Sequence, residues 1–180
     1  DSPLDDRDVG IVNLGGNDVL ATWFTIDPRT YRESYEIEFP DDMRSWMRAK
    51  LSTIDDELCT RYTGSWTRIS HDGGKTWSAP EEFDFTGVWP ALLTLKCGVT
   101  LATYGRPGLF LRATADPSCK VWEAPIELIH SNREKGIVNM ATCSYTDLIP
   151  LDDHTAGLAY SDFTIKDESG IPRKTMMFRT

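Results

Sequence analysis

Eight consecutive residues, Ser70-His71-Asp72-Gly73-Gly74-Lys75-Thr76-Trp77, restrict what this chain can fold into more than any other stretch. Ser70 and Asp72 carry short oxygen-bearing side chains that bond back onto backbone N–H groups of their own turn, and Gly73 and Gly74 supply the positive φ that a tight hairpin requires. Trp77 is expected to start the return strand, where an indole buries on the order of 200 Å² against a neighbouring sheet and its N–H takes a local acceptor. A plain Asp-Gly hairpin with a tryptophan close by is the bland alternative.

Subtraction along the chain finds a second copy. Trp77, Ala79, Pro80, Glu82 and Phe83 recur as Trp122, Ala124, Pro125, Glu127 and Leu128, all at an offset of 45. The preceding turn, Thr114 to Trp122, keeps the hydroxyl, the Asp and the Trp, but it lacks the glycine and is one residue longer. A period near 45 suits the blade of a four-stranded propeller, roughly 40–50 residues.

The pattern Ser-x-Asp-x-Gly-x-Thr-Trp, filled at Ser70, Asp72, Gly74, Thr76 and Trp77, resembles the Asp box, or bacterial neuraminidase repeat, of the sialidase superfamily. The resemblance implies an all-β, sialidase-like β-propeller with each box on the hairpin between the third and fourth strands of a blade. It also implies that the box is a clasp with no part in catalysis. Catalytic members of that superfamily have six blades, so the chain is expected to be an N-terminal half, completed by the rest of its polypeptide or by a second one. Secretion or a periplasmic location is suggested by the resemblance alone.

Composition narrows the partners. A formal net charge of −9 and a pI near 4.8 weigh against nucleic acid, which needs a basic surface, while leaving room for a local anion pocket. No run of 18 apolar residues is present, so no membrane partner is expected. Cys59, Cys97, Cys119 and Cys143 are widely spaced, which argues against metal ligation; Cys97 and Cys143 read as small core residues, and a disulfide between them stays open. No cofactor is called for.

Three strand-turn-strand beginnings recur. Leu14 to Trp23 aligns with Leu95 to Tyr104 at an offset of 81, and Leu148 to Tyr160 is a looser third version. Blade one is expected over about 9–86 with an insertion at 25–62, blade two over about 88–129, and an incomplete blade three over about 143–180. The insertion is expected to hold a short helix over 41–51 behind an acidic start. Three unrelated hairpins of a β-sandwich remain the alternative.

Up-and-down strands put the Asp-box turns and the first turn of each blade at one end. The insertion then marks the opposite end as the site, since long excursions on one rim usually shape one. The repeat offsets place Asp8, Trp89 and Tyr145 at equivalent positions there. One acid and two aromatics suit a surface that stacks on sugar rings and bonds their hydroxyls; as packing residues they need no ligand. Arg106, held by Gly105 and Pro107, is a second anion-binding candidate, and a structural salt bridge is its plain alternative.

Arg7 stands where the resemblance implies the first carboxylate-binding arginine of a sialidase, although the Ile-Pro that follows it in that superfamily is missing and Asp6 and Asp8 flank it, ready to pair with it. The implied acid falls near Gly64, where no carboxyl exists; Asp27, Asp55 or Asp56 are the substitutes, and Asp27 is carried forward with Arg7 and Asp8 as the catalytic set. The expected function is that of part of a glycoside hydrolase cleaving terminal sugars such as sialic acid from glycans, inactive as this piece alone. Its rivals are a non-catalytic Asp-box propeller that binds glycans or proteins and a scaffold completed by another subunit.

Overall fold

The computed structural model describes residues 2–84, 88–106, 108–130 and 145–180, without the side chain of Trp89. Cys143, the start of the third expected blade at 143–144, and most of the connections after Asp84 and Ile129 lie outside the described residues. Three antiparallel sheets follow one another along the chain. The first contains β1 (Asp5–Gly15), β2 (Asp18–Ile26), β3 (Gly64–Ser70) and β4 (Glu81–Asp84), and the second contains β5 (Val88–Thr94), β6 (Thr100–Gly105), β7 (Leu109–Thr114) and β8 (Ile126–Ile129). The third contains β9 (Thr146–Pro150), β10 (Ala156–Asp162) and β11 (Thr175–Arg179). Each is a meander whose strands pair in chain order, so the architecture is all-β with a helical insertion.

Side-chain alternation explains how the sheets stack. Thr22 and Thr67 point one way and are buried, whereas Trp23 and Trp66, paired across β2 and β3, point the other way and stay half-exposed. The main contacts between sheets run from β1 to β5 and from β5 to β9, so the first strands lie side by side. Phe83 joins Ala102, Tyr104 and Phe110 in one core between the first and second sheets. Leu109, Leu148, Leu158 and Tyr160 form the next between the second and third, where Thr103 and Thr146 also share a buried hydroxyl pair at 2.7 Å.

The turns at 70–77 and 114–122 close in the same way. Asp72 accepts from the N–H groups of Lys75 (2.9 Å) and Thr76 (2.8 Å) and from the Thr76 hydroxyl (2.6 Å), and the Trp77 indole donates to the Gly74 carbonyl at 3.0 Å. Asp116 accepts from the N–H groups of Ser118, Lys120 and Val121, and the Trp122 indole donates to the Cys119 carbonyl at 2.7 Å. Cys119 takes the place of the missing glycine in a left-handed conformation (φ 52), which a side chain tolerates at a cost of about 1–2 kcal/mol. Both tryptophans precede the return strand instead of starting it: Pro80 and Pro125 lack an N–H for the ladder, and β4 and β8 begin just after them.

These bonds hold both carboxylates near a pKa of about 2, through Thr76 foremost at Asp72 and Ser118 foremost at Asp116. Because the folded value lies below the unfolded one of about 3.9, the stabilisation is complete above that value and drains away as the pH falls towards 2. The thermal midpoint of the wild-type chain should therefore fall more steeply between pH 4 and 2 than that of the Asp72→Asn/Asp116→Asn variant. Parallel acid slopes would show that the clasps carry no such linkage.

Residues 27–62 form the insertion: a 3-10 turn over Pro28–Tyr31, then α1 (Arg32–Glu38), α2 (Asp41–Leu51) and α3 (Asp56–Tyr62). The helix expected over 41–51 is α2, with Asp41 and Asp42 in its first turn and Arg48 and Lys50 in its last, both favourable to the helix dipole. Asp55 caps α3 by accepting from the Leu58 N–H at 2.8 Å. Arg61 lies in the last turn of this helix. Leu51 and Ile54 bury against Leu4, so the insertion has its own small core and folds back onto the chain ahead of β1.

Candidate functional site

The two ends of the sheets separate as expected. At the end that holds the tryptophan turns the Gly73 N–H donates to the Asn17 carbonyl at 2.9 Å, and the Cys97 backbone N–H donates to the Asp153 carbonyl at 3.1 Å. Cys97 therefore sits exposed in a turn and is not a core residue, because Gly98 bends the chain out of the strand before it. The opposite end collects the start of β1, the helical insertion, Arg106 and Tyr145.

Two matching irregularities shape that end. The pairing of β1 with β2 slips between Arg7 and Gly10, and that of β5 with β6 slips between Val88 and Ala91. These are the same positions at the offset of 81, and they put Asp8 and Trp89 in equivalent bulges on neighbouring first strands. Asp8 is pushed into a left-handed conformation (φ 48) that non-glycine residues rarely adopt. Its carboxylate makes no hydrogen bond or ion pair among the described residues, and it opens onto a shallow depression of about 390 Å³ shared with Arg7, Trp23 and Arg68.

Arg7 is tied down. Its Nη2 and Nε donate to Asp5 at 2.6 and 2.9 Å, and its guanidinium lies 5.5 Å from the centre of the Tyr31 ring. Asp5 takes it, and the expected partners Asp6 and Asp8 do not. Asp6 is committed elsewhere, accepting from the Thr25 hydroxyl at 2.6 Å and from the Ser2 N–H at 2.7 Å. On a strand, residues two apart share a face, which favours Asp5 over either immediate neighbour.

Asp27 caps the 3-10 turn, accepting from the Arg29 N–H at 2.9 Å, and pairs with the Arg29 guanidinium at 2.8 Å. The Arg29 bond holds its carboxyl below the usual range, the opposite of what a proton donor at neutral pH needs. Asp55 is likewise a cap, and Asp56 pairs with Arg29 at 2.9 Å.

Tyr145, half-exposed just before β9, and Arg106 meet: the guanidinium lies 5.8 Å from the ring centre, within cation–π reach. Arg106 is the second strained residue of this end (φ 57). The structure thus brings Asp8 and the Trp89 backbone to equivalent bulges and joins Arg106 to Tyr145, while Arg7 and Asp27 are held by local acid and base. Sequence reasoning missed Arg68, Trp23 and Trp66; their spacing on β2 and β3 signalled a second aromatic face. Among the described residues no group of His, Cys, Asp and Glu is arranged to hold a metal ion, and no helix is long and apolar enough to cross a membrane.

Comparison with protein families and with curated proteins returns no match. Among solved structures the chain is similar to a Dyadobacter fermentans protein described as of unknown function, at 16% identity and a TM-score of 0.56. The similarity covers 99% of this chain and 38% of that one, so the chain spans well under half of that protein's length. At this identity the likeness concerns the fold alone.

Proposed function

We propose that this chain is part of a sialidase-like β-propeller whose helix-flanked rim recognises terminal sugars, and that the complete protein hydrolyses the glycosidic bond. Support for the propeller comes from the repeated box, the side-by-side first strands and the meander sheets. The sugar reading rests on one observation above the others: among the described residues an unpaired, strained Asp8 stands on β1 level with the equivalent bulge of β5, while Tyr145 directly precedes β9, the first strand that packs on β5. A carboxylate bonds sugar hydroxyls and an exposed ring stacks on a sugar face.

The full-length polypeptide, assayed with sialosides and neutral aryl glycosides, should release product. Asp8→Asn should lower turnover, and Tyr145→Ala should raise the Kd for the sugar about tenfold, or about 1.4 kcal/mol. No turnover of either substrate class by well-folded protein removes the enzyme reading.

The second reading, a glycan-binding propeller without hydrolysis, is favoured by the pairing of Arg7 with Asp5 and by the capping engagement of Asp27. Equilibrium glycan binding with no product formed decides for it.

A further inference from the structure

Adjacent sheets are joined by a repeated plug and socket. The pairing of β3 with β4 slips so that Ser65 faces Asp84 and Trp66 faces Glu82, which leaves Phe83 as the extra, bulged residue. The pairing of β7 with β8 slips identically, with Leu109 facing Ile129 and Phe110 facing Glu127, and leaves Leu128. Both bulged residues are thrown onto the next sheet.

Phe83 enters a socket on the second sheet. Tyr104 meets it edge-on at 5.1 Å, Trp122 does so at 5.0 Å, and the Arg112 guanidinium covers it at 4.9 Å while Nη1 donates to the Phe83 carbonyl at 2.6 Å. Leu128 packs into the cluster of Leu158, Tyr160 and Met177 on the third sheet, where Arg179 lies 5.5 Å from the Tyr160 ring.

The same socket exists on the first sheet. Trp23 stands where Tyr104 does, Trp66 where Phe110 does, Arg68 where Arg112 does, and Trp77 where Trp122 does, by the offsets of 81, 44, 44 and 45 that align the sheets. The strand pairing agrees: Trp23 faces Trp66 as Tyr104 faces Phe110. No described residue plugs this socket. A cavity of about 210 Å³ lies between Trp23, Trp66, Arg68 and Pro80, roomier than the roughly 150 Å³ apolar cavity that accepts benzene. Arg68 Nε is buried without a hydrogen-bond partner among the described residues, a state that costs free energy until an acceptor arrives. Ile11, at the offset of 81 the counterpart of Leu92, which packs partly buried against the Phe83 cluster, is 62% exposed.

We propose that this socket receives the bulged apolar side chain of the outermost strand of a further antiparallel sheet of the same polypeptide, and that the backbone carbonyl of that residue accepts from Arg68. Both filled sockets take their plug from a sheet of their own chain. Among the described residues the two plugs, Phe83 and Leu128, are each seated against the next sheet of their own chain. The similar solved chain, of which this one spans 38%, has length for more such sheets. Charge agrees as well: the Phe83 plug is flanked by Glu81, Glu82 and Asp84, and the empty socket offers Arg61 and Arg68. The inference shares the repeated sheet with the propeller reading but not the sugar site, so a negative glycan assay leaves it standing.

Acrylamide quenching of the full-length polypeptide, read by difference after Trp23→Phe and Trp66→Phe, tests it. Both indoles should be quenched several-fold less than Trp46, which is 59% exposed on α2, and they should stay shielded at concentrations where sedimentation finds a monomer. Arg68→Ala should lower the denaturation midpoint about as far as Arg112→Ala does. Shielding that appears only in a dimer assigns the socket to a second copy and overturns the proposal, as do indoles as open as Trp46 together with a neutral Arg68→Ala. The quenching comparison uses the wild-type arginine, so it still decides where Arg68→Ala does not fold.

Discussion

Replacing Phe83 with alanine is expected to lower the free energy of unfolding by about 4 kcal/mol, within the usual 3–5 for a buried phenylalanine. The side chain is 5% exposed and sits between two sheets, so its removal leaves a hole walled by Tyr104, Phe110 and Trp122 that neither sheet can close alone. The Arg112 guanidinium loses the ring beneath it, roughly 0.5–1 kcal/mol of the total. Its bond to the residue-83 carbonyl does not depend on that side chain. Against a total stability of about 5–15 kcal/mol, the variant approaches the edge of folding. Phe83→Leu, which copies the plug Leu128 uses one sheet later, should cost about 1 kcal/mol. Urea denaturation measures both; an Ala cost under about 1 kcal/mol with unchanged slope means that this side chain does not join the sheets.

The sheets were legible in the sequence because their signals are local. Each tryptophan turn is closed by its own residues, and a ladder repeats at fixed offsets, so Trp77 and Trp122 pointed to the sheets and to their order. The fourth strands, β4 and β8, begin later than the tryptophans suggested because Pro80 and Pro125, between tryptophan and strand, defer the ladder. What was not legible depends on contacts between distant residues. The sequence names four acids around Arg7 and Asp27 but not which neighbour claims which charge: Asp5 takes Arg7 by sharing its face, and Arg29 takes Asp27 by closing the turn that Asp27 caps. The plug was hidden for the same reason. Phe83 and Leu128 had been matched by subtraction, yet only the slipped pairing of the outer strands reveals that both are bulged towards the next sheet.

Gly10→Ala should be nearly as damaging as the loss of the plug, for an opposite reason. A Cβ on Gly10 would stand 2.4 Å from the Pro90 carbonyl oxygen and 3.0 Å from Thr22 Cγ2. The first obstacle is backbone of the neighbouring first strand, which cannot rotate away as a side chain would, so β1 and β5 must separate. Overpacking of this kind costs about 1–3 kcal/mol, with the rigid neighbour putting it at the upper end. The entropy gained by removing a glycine from the unfolded chain returns only about 0.4–1 kcal/mol, too little to reverse the sign. Because Gly10 closes the bulge that strains Asp8, the variant should also weaken the sugar binding proposed for this rim more than its stability loss at the assay temperature explains. Thermal unfolding and glycan titration of Gly10→Ala, beside Gly157→Ala as a control, separate the two effects. At Gly157 the added Cβ meets mainly the ring of the exposed Phe178, which can swing clear. Equal midpoints for the two variants would mean that β1 and β5 are not held at the spacing on which the rim depends.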